Sequence, residues 1–152
     1  MIHHWIARFL VRRGFAALSR GDACAITSLM ADDVHYRFEG DGALGGERYS
    51  RAAVERWFQR VLRLLPGLRL EPLYVAVSGW PWDMAVLTYV IVTWRRPDGR
   101  AYGNTAMQAI RIRWGRVRDV HTIENTERVN ALLRELGERH GMAEALAAPI
   151  MG

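Results

Sequence analysis

The chain has 152 residues, and half of them are apolar, which suits one globular domain with a single core. Its formal charge is +5, and all 21 basic residues are arginines, scattered singly or in pairs. No run of five basic residues and no RNA-binding or zinc-finger signature accompanies them. We therefore expect a solvated basic surface and no nucleic-acid partner, despite the basic pI.

Cysteine content and hydropathy exclude further classes. A single cysteine, Cys24, cannot form an intramolecular disulfide, and no Cys/His cluster offers a structural zinc site. No apolar stretch approaches the roughly 18 to 20 residues of a membrane span, and Arg8, Arg12 and Arg13 interrupt the apolar N-terminus. The sequence predicts a soluble cytoplasmic protein with no metal, no cofactor and no membrane partner.

The N-terminal segment is predicted to be helical. Apolar residues recur at helical spacing over residues 4–19, with Trp5 and Phe9 among them. Asp22 can then cap a second short helix that runs through Leu29, because its carboxylate accepts backbone N–H groups of a first turn. Two helices are therefore expected before the first strand.

A strand, a loop and a longer helix follow. The letters ADDVHYRF predict a short strand, and the glycine-rich residues 39–50 predict a loop. After Ser50, six apolar residues recur at i, i+3, i+4, i+7, i+8 and i+11, and Pro66 and Gly67 stop the pattern. This is the clearest amphipathic helix of the chain.

The second half of the chain is predicted to be an antiparallel meander. Four β-rich segments beginning at Leu68 are divided by the turn signals GWPWD, PDG and WGR, and a last amphipathic helix begins at Thr126. The element order predicts one α+β domain over residues 1–152, with a core over about 5–137 and a tail over about 138–152. Its curved mixed or antiparallel sheet should wrap around N-terminal helices and an apolar pocket.

Three parts of the sequence carry a family resemblance: FAALSRGDACAITSLMADDVHYRF, the glycine-rich loop leading into SRAAVERWFQRVL, and WGRVRDVHTIENT. Through them, residues from about 13 to 129 resemble the nuclear transport factor 2-like superfamily, which includes ketosteroid isomerases and SnoaL-like polyketide cyclases. The resemblance implies a cone-shaped, cystatin-like sheet around a pocket for a small hydrophobic molecule.

Strand alternation assigns side chains to that pocket. In the strand that begins at Tyr102, Ile110 alternates with arginines, so the isoleucine face should point inward together with Gln108. A two- or four-residue hairpin loop around Gly115 places His121 on the same face, whereas a three-residue loop reverses this. The residues expected to line the pocket are Phe15, Tyr36, Phe38, Trp57, Val61, Tyr89, Tyr102, Asn104, Ile110 and Ile123.

His121 is the candidate acid or base, because an ordinary histidine pKa of about 6.5 allows proton transfer near neutral pH. Asp119 would orient it, while Gln108 and Asn104 would hydrogen-bond a substrate carbonyl or the enolate formed from it. These roles imply proton abstraction next to a carbonyl. The structural alternative makes His121 a core histidine satisfied by Gln108 or a backbone carbonyl, and it pairs Asp119 with a nearby arginine. Glu124 is expected to face solvent.

Comparison with ketosteroid isomerases argues against their mechanism in this chain. The catalytic tyrosine and the two aspartates of ketosteroid isomerases correspond here to Phe15, Phe38 and Gln108, and among these Gln108 alone could still donate a hydrogen bond. Steroid isomerisation by that mechanism is therefore not expected. SnoaL-like cyclases place their acid or base on the later strands, which is where Asp119 and His121 lie.

The predicted function is a cofactor-independent isomerase, cyclase or dehydratase acting on a hydrophobic, polyketide-, terpenoid- or steroid-like molecule. The alternative is a non-catalytic module that binds a hydrophobic ligand or dimerises. A homodimer is expected because the helices leave one sheet face uncovered, although Arg111 and Arg113 would make that face partly polar. Trp80 and Trp82, at a hairpin tip, either cap the pocket mouth or fill a subunit interface.

Overall fold

A computed structural model describes all 152 residues, and its elements follow the predicted order. The helices are α1 (Ile2–Ser19), α2 (Cys24–Thr27), α3 (Arg51–Leu64) and α4 (Thr126–His140), followed by a short 3-10 helix (Ala143–Leu146). The strands are β1 (Met30–Phe38), β2 (Gly46–Arg48), β3 (Arg69–Trp80), β4 (Asp83–Arg95), β5 (Ala101–Arg113) and β6 (Arg116–Glu124). None of the helices is both long and apolar enough to cross a bilayer.

The six strands form one open sheet in the order β2-β1-β6-β5-β4-β3. Strands β3 to β6 are the predicted antiparallel meander. Strand β1 joins them beside β6 in parallel orientation, with Tyr36 opposite Val120, so the sheet is mixed. The predicted α+β fold, with helices packed on one face of a mixed sheet, is confirmed.

Side-chain caps fix where the helices begin. The Asp22 carboxylate accepts the backbone N–H of Cys24 at 3.0 Å, as predicted for α2. Ser50 Oγ accepts the N–H of Ala53 at 3.2 Å and starts α3. The apolar side of α3 faces the sheet, and its buried residues belong to a core cluster of 26 buried residues.

The sequence predicted a loop over the glycine-rich residues 39–50, but part of this segment is a strand. It contains β2, which pairs with β1. The fully buried Arg48 donates hydrogen bonds to the carbonyl oxygens of Gly45, Gly46 and Ile150. One guanidinium thus satisfies backbone carbonyls that a buried turn would otherwise leave unpaired, and this tertiary contact orders a segment with little strand propensity of its own.

Helix α1 buries most apolar residues of its second half and exposes most of those near its start. Ala7, Phe15 and Leu18 are buried, whereas Trp5 is 64% and Phe9 is 50% exposed. Apolar residues occur all around the first turns of this helix, so periodicity alone could not identify the buried side. The inward face is set instead by the close approach of α1 to β3.

Candidate functional site

An apolar cavity of about 500 Å³ lies between the inner face of the sheet and helices α1, α3 and α4. Of its 38 lining residues, 31 are hydrophobic, so the cavity suits a ligand with mostly hydrocarbon surface. The predicted pocket residues found on its wall are Phe15, Tyr36, Phe38, Trp57, Val61, Tyr102, Gln108 and Ile110.

Three other predicted pocket residues, Tyr89, Asn104 and Ile123, do not line the cavity. Tyr89 is on the outer face of the sheet, where its ring centroid is 6.2 Å from that of Tyr74. Asn104 is buried on the inner face but is not on the cavity wall. Tyr89 therefore does not belong to the candidate site. Asn104 does not contact the cavity directly, but its amide donates a hydrogen bond to Glu124.

A β-bulge in β6 overturns the predicted orientation of the next residues. The hairpin loop has two residues, and Ile112 pairs with Val117 as regular alternation requires. The next pair, however, is Arg111 with Asp119, so β6 carries one extra residue. One extra residue reverses the alternation of everything that follows it. It turns Asp119, His121 and Ile123 outward and Val120, Thr122 and Glu124 inward.

The prediction that His121 and Asp119 face the pocket is therefore wrong. His121 Nε2 lies 2.5 Å from Glu39 Oε1, and neither His121 nor Asp119 lies on the cavity wall. Asp119 Oδ1 accepts a hydrogen bond from Arg37 at 2.8 Å, and its Oδ2 lies 3.3 Å from His35 Nδ1. These side chains contact one another on the outer side of the sheet, away from the cavity.

Glu124, expected to face solvent, lies on the cavity wall instead. Burial raises the pKa of its carboxyl from 4.5 to about 7, while a hydrogen bond from Asn104 has a smaller opposite effect. Near neutral pH the protonated and ionised forms are therefore both populated, as an acid or base that works at that pH requires.

The Asn104 amide holds one side of Glu124. Asn104 Nδ2 lies 3.1 Å from Glu124 Oε2 and 3.1 Å from the Tyr102 hydroxyl, and Asn104 Oδ1 accepts the backbone N–H of Thr105 at 2.9 Å. The amide orientation is thus fixed from both ends. Glu124 Oε2 accepts the hydrogen bond from Asn104 Nδ2, and Glu124 Oε1 accepts none from the protein.

Three neutral polar groups lie on adjacent strands of the cavity wall. Gln108 Nε2 donates to Thr122 Oγ1 at 2.9 Å, and Tyr36 lies on the same cavity wall. Burial raises the pKa of Tyr36 to about 12, so its phenol keeps its proton at neutral pH. Tyr36 and Gln108 are therefore hydrogen-bond donors in a largely apolar space, where such donors stabilise developing negative charge most strongly.

One surface cluster has the residue types of a metal site. Ligand atoms of Asp98, Glu135 and His140 lie within 4.8 Å of one another. Arg100 pairs with both carboxylates, and Arg96 pairs with Glu135 at 3.1 Å. The acidic charge is therefore already balanced by arginine, and we treat this group as an ion-pair cluster.

Helices that cover a mixed sheet around an apolar cavity define the NTF2-like, cystatin-like class, and solved structures of that class match the chain. An NTF2-like protein of unknown function from Burkholderia pseudomallei is 25% identical, with a TM-score of 0.65 over 82% of this chain and 95% of its own. Bal32a, from a soil-derived mobile gene cassette, is 24% identical, with a TM-score of 0.67 over 78% and 88%. A proposed polyketide cyclase from Sinorhizobium meliloti is 24% identical, with a TM-score of 0.58 over 75% and 93%.

Within that class, the family model of the SnoaL-like domain matches residues 11–120. The chain belongs to this family. No curated protein matches it. The match ends before Glu124, so the candidate role of that carboxyl rests on the geometry of the cavity and not on the family.

Proposed function

We propose that this protein is a cofactor-independent enzyme that moves a proton next to a carbonyl of a hydrophobic small molecule. The observation that carries the proposal is the Glu124 carboxyl, whose pKa is raised to about 7 on the wall of an apolar cavity. Membership of the SnoaL-like family and the likeness to a proposed polyketide cyclase support an isomerase or cyclase type of reaction.

The ionised Glu124 is the proposed base. Its Oε1 takes a proton from the carbon next to the carbonyl, and the electron pair of that C–H bond moves to the carbonyl oxygen to give an enolate. Tyr36 and Gln108 are the proposed donors to this oxygen, and Thr122 holds Gln108 in place. The protonated Glu124 then returns its proton to another carbon in an isomerisation, or to the new alkoxide after an aldol cyclisation.

Cavity size and lining support a polyketide-, terpenoid- or steroid-like substrate. About 500 Å³ accommodates a small organic molecule of this kind, and the polar groups of the wall are few. Orientation would therefore come from the carbonyl at Tyr36 and Gln108, and affinity from the burial of hydrocarbon.

Hydrogen exchange tests the proposal without knowledge of the natural substrate. Hydrophobic ketones and 1,3-diketones are incubated with the protein in D₂O, and loss of the α-hydrogens is followed by NMR. Exchange should exceed the buffer rate and fall by about 10²–10⁴-fold in Glu124→Gln, the usual contribution of a general base. Glu127→Gln, at an exposed position on α4, is the matched control, and His121→Ala should also keep full activity.

The same experiment separates catalysis from the alternative. Equal exchange by the native protein and Glu124→Gln would show that Glu124 is not the base. Ligand binding without any exchange in the native protein would instead support the non-catalytic binding module.

We also propose a homodimer formed through the outer face of the sheet. The exposed side chains there are largely apolar: Tyr74, Leu87, Met107 and Ile123. Arg111, expected to make this face partly polar, is bound to Asp83 at its hairpin end. Met107→Arg should shift the sedimentation coefficient from dimer to monomer, whereas Arg56→Glu on α3 should leave it unchanged. A monomeric native protein would contradict the proposal.

A further inference from the structure

We propose that the end of the protein around the cavity mouth docks on the surface of an anionic lipid bilayer. The surface concerned, called the mouth patch, combines exposed residues of α1, of the β3–β4 hairpin and of the β5–β6 hairpin. Its members are Ile2, Trp5, Ile6, Phe9, Trp80, Trp82 and Trp114. Docking requires no spanning helix and does not depend on the chemistry of Glu124.

Direct contacts join the three segments of the mouth patch. His4 Nε2 lies 2.8 Å from the carbonyl oxygen of Gly79, which ties the start of α1 to the β3–β4 hairpin. The Trp80 and Trp82 rings stack with centroids 5.5 Å apart, and Trp82 is 6.5 Å from Trp114 of the next hairpin. The three tryptophan rings of the two hairpins therefore form one connected surface, and His4 ties the start of α1 to it.

The cavity opens within this patch. Among the residues on the cavity wall, the exposed ones all lie at this end of the molecule: Ile6, Leu10, Pro81, Trp114 and Gly115. Every other wall residue is buried or half-buried. A bilayer that contacts the mouth patch would thus face the entrance through which an apolar ligand must pass.

Trp114 is held exposed at a cost in backbone strain. Trp114 and Gly115 form the two-residue hairpin loop, with φ values of 49° and 74°. Asparagine followed by glycine is the usual sequence for two positive φ angles, and a bulky residue is disfavoured at the first position. Yet Trp114 is 79% exposed, so burial does not offset this strain. Such strain typically marks a functional constraint.

Positive charge is concentrated at the same end. The segments 1–10, 79–83 and 111–116 contain four arginines and one acidic residue, Asp83, whereas Arg12 lies further along α1 and donates to the Pro72 carbonyl. Their excess of three positive charges is more than half of the formal net charge of +5 of the whole chain. Two such patches would repel each other, which disfavours a second copy of the chain as the partner. Anionic lipid complements the arginines, and tryptophan favours the bilayer interface.

Vesicle co-sedimentation tests whether the arginines of the mouth patch contribute to docking on an anionic bilayer. We expect the protein to bind vesicles of mixed phosphatidylcholine and phosphatidylglycerol at least tenfold more tightly than phosphatidylcholine alone. Salt raised from about 0.1 to about 0.5 M should reverse most of this gain. Arg8→Glu, exposed on α1, should weaken binding about tenfold, whereas the matched control Arg56→Glu, exposed on α3, should not. No preference for the anionic vesicles, or equal losses in the two variants, would overturn the proposal.

The variant Trp114→Asn tests whether the exposed tryptophan contributes to bilayer docking. It also distinguishes a loss of docking from a loss of folding. Asparagine accepts the left-handed backbone, so this variant should unfold at a higher temperature than the native chain. Its vesicle binding should nevertheless fall about fivefold or more. Unchanged binding would overturn the proposal. So would a sedimentation experiment in which Trp114→Asn converts a dimer to a monomer, because the mouth patch would then be an interface between copies.

Discussion

Two carboxylates on β6, Asp119 and Glu124, lie on opposite faces of the same strand and meet opposite environments. Asp119 is paired with Arg37 and His35 on the outer side of the sheet. Glu124 lies on the wall of an apolar cavity and receives a hydrogen bond from the neutral amide of Asn104. Burial on the cavity wall is therefore what allows the Glu124 carboxyl to exchange a proton near neutral pH.

The largest effect is expected from deletions that change which face each residue occupies. Deletion of Arg118 removes the extra residue of the bulge and leaves Thr122 and Glu124 inward, so the domain should fold with a loss of about 1 kcal/mol. Deletion of His121 turns Thr122 and Glu124 outward and should cost about 3–5 kcal/mol. Urea unfolding followed by circular dichroism measures both. Similar losses in the two variants would contradict the register described here.

A smaller effect, with a defined pH dependence, is expected at Glu124. Its pKa is raised from 4.5 in the unfolded chain to about 7 in the folded protein. The folded state therefore loses about 3 kcal/mol of stability as pH rises from about 4.5 to about 7. Glu124→Gln escapes this loss, so its free energy of unfolding should exceed that of the native protein by up to about 3 kcal/mol at pH 8, with no gain at pH 4.

The control for that experiment is Asp119→Asn. It removes the half-exposed ion pair with Arg37 and should lower stability at pH 8 by about 1 kcal/mol or less. If Glu124→Gln changed stability equally at pH 4 and pH 8, the pKa of Glu124 would not be raised in the folded protein.

The smallest effects on stability are expected from substitutions of Thr122 and His121, which lie on the inner and outer faces of β6. Thr122 is 2% exposed and accepts a hydrogen bond from Gln108, so Thr122→Val should leave that donor unpaired and cost about 1–2 kcal/mol. His121→Ala removes a partly exposed outer contact and should cost about 0.5 kcal/mol. Urea midpoints at pH 7 give the comparison. A larger loss in His121→Ala would reverse the assignment of the inner and outer faces.

Regular periodicity made most of the fold predictable. The pattern after Ser50 and the capping by Asp22 located α3 and α2, and the alternation in β1 placed Tyr36 and Phe38 inward, where both are buried. Such patterns work because one face of each element is buried in the core.

The site was only partly predictable, since a single inserted residue decides it. One signal was present: Val117 and Val120 are three positions apart, and a regular strand cannot point both to the same face. The end of β6 also contradicts a simple pattern, because Ile123 is 51% exposed whereas the acidic Glu124 lines the cavity. Residues that serve a site or an interface depart from the core pattern, so the sequence pattern could not assign them.

The parallel pairing of β1 with β6 has a consequence for the order of folding events. Tyr36 is opposite Val120, so β1 has to remain without this neighbour until nearly the whole chain has been synthesised. In the interval its apolar side chains and one backbone edge are open to other chains. Contacts so distant in sequence favour slow folding, and this strand is the segment from which we expect aggregation to begin.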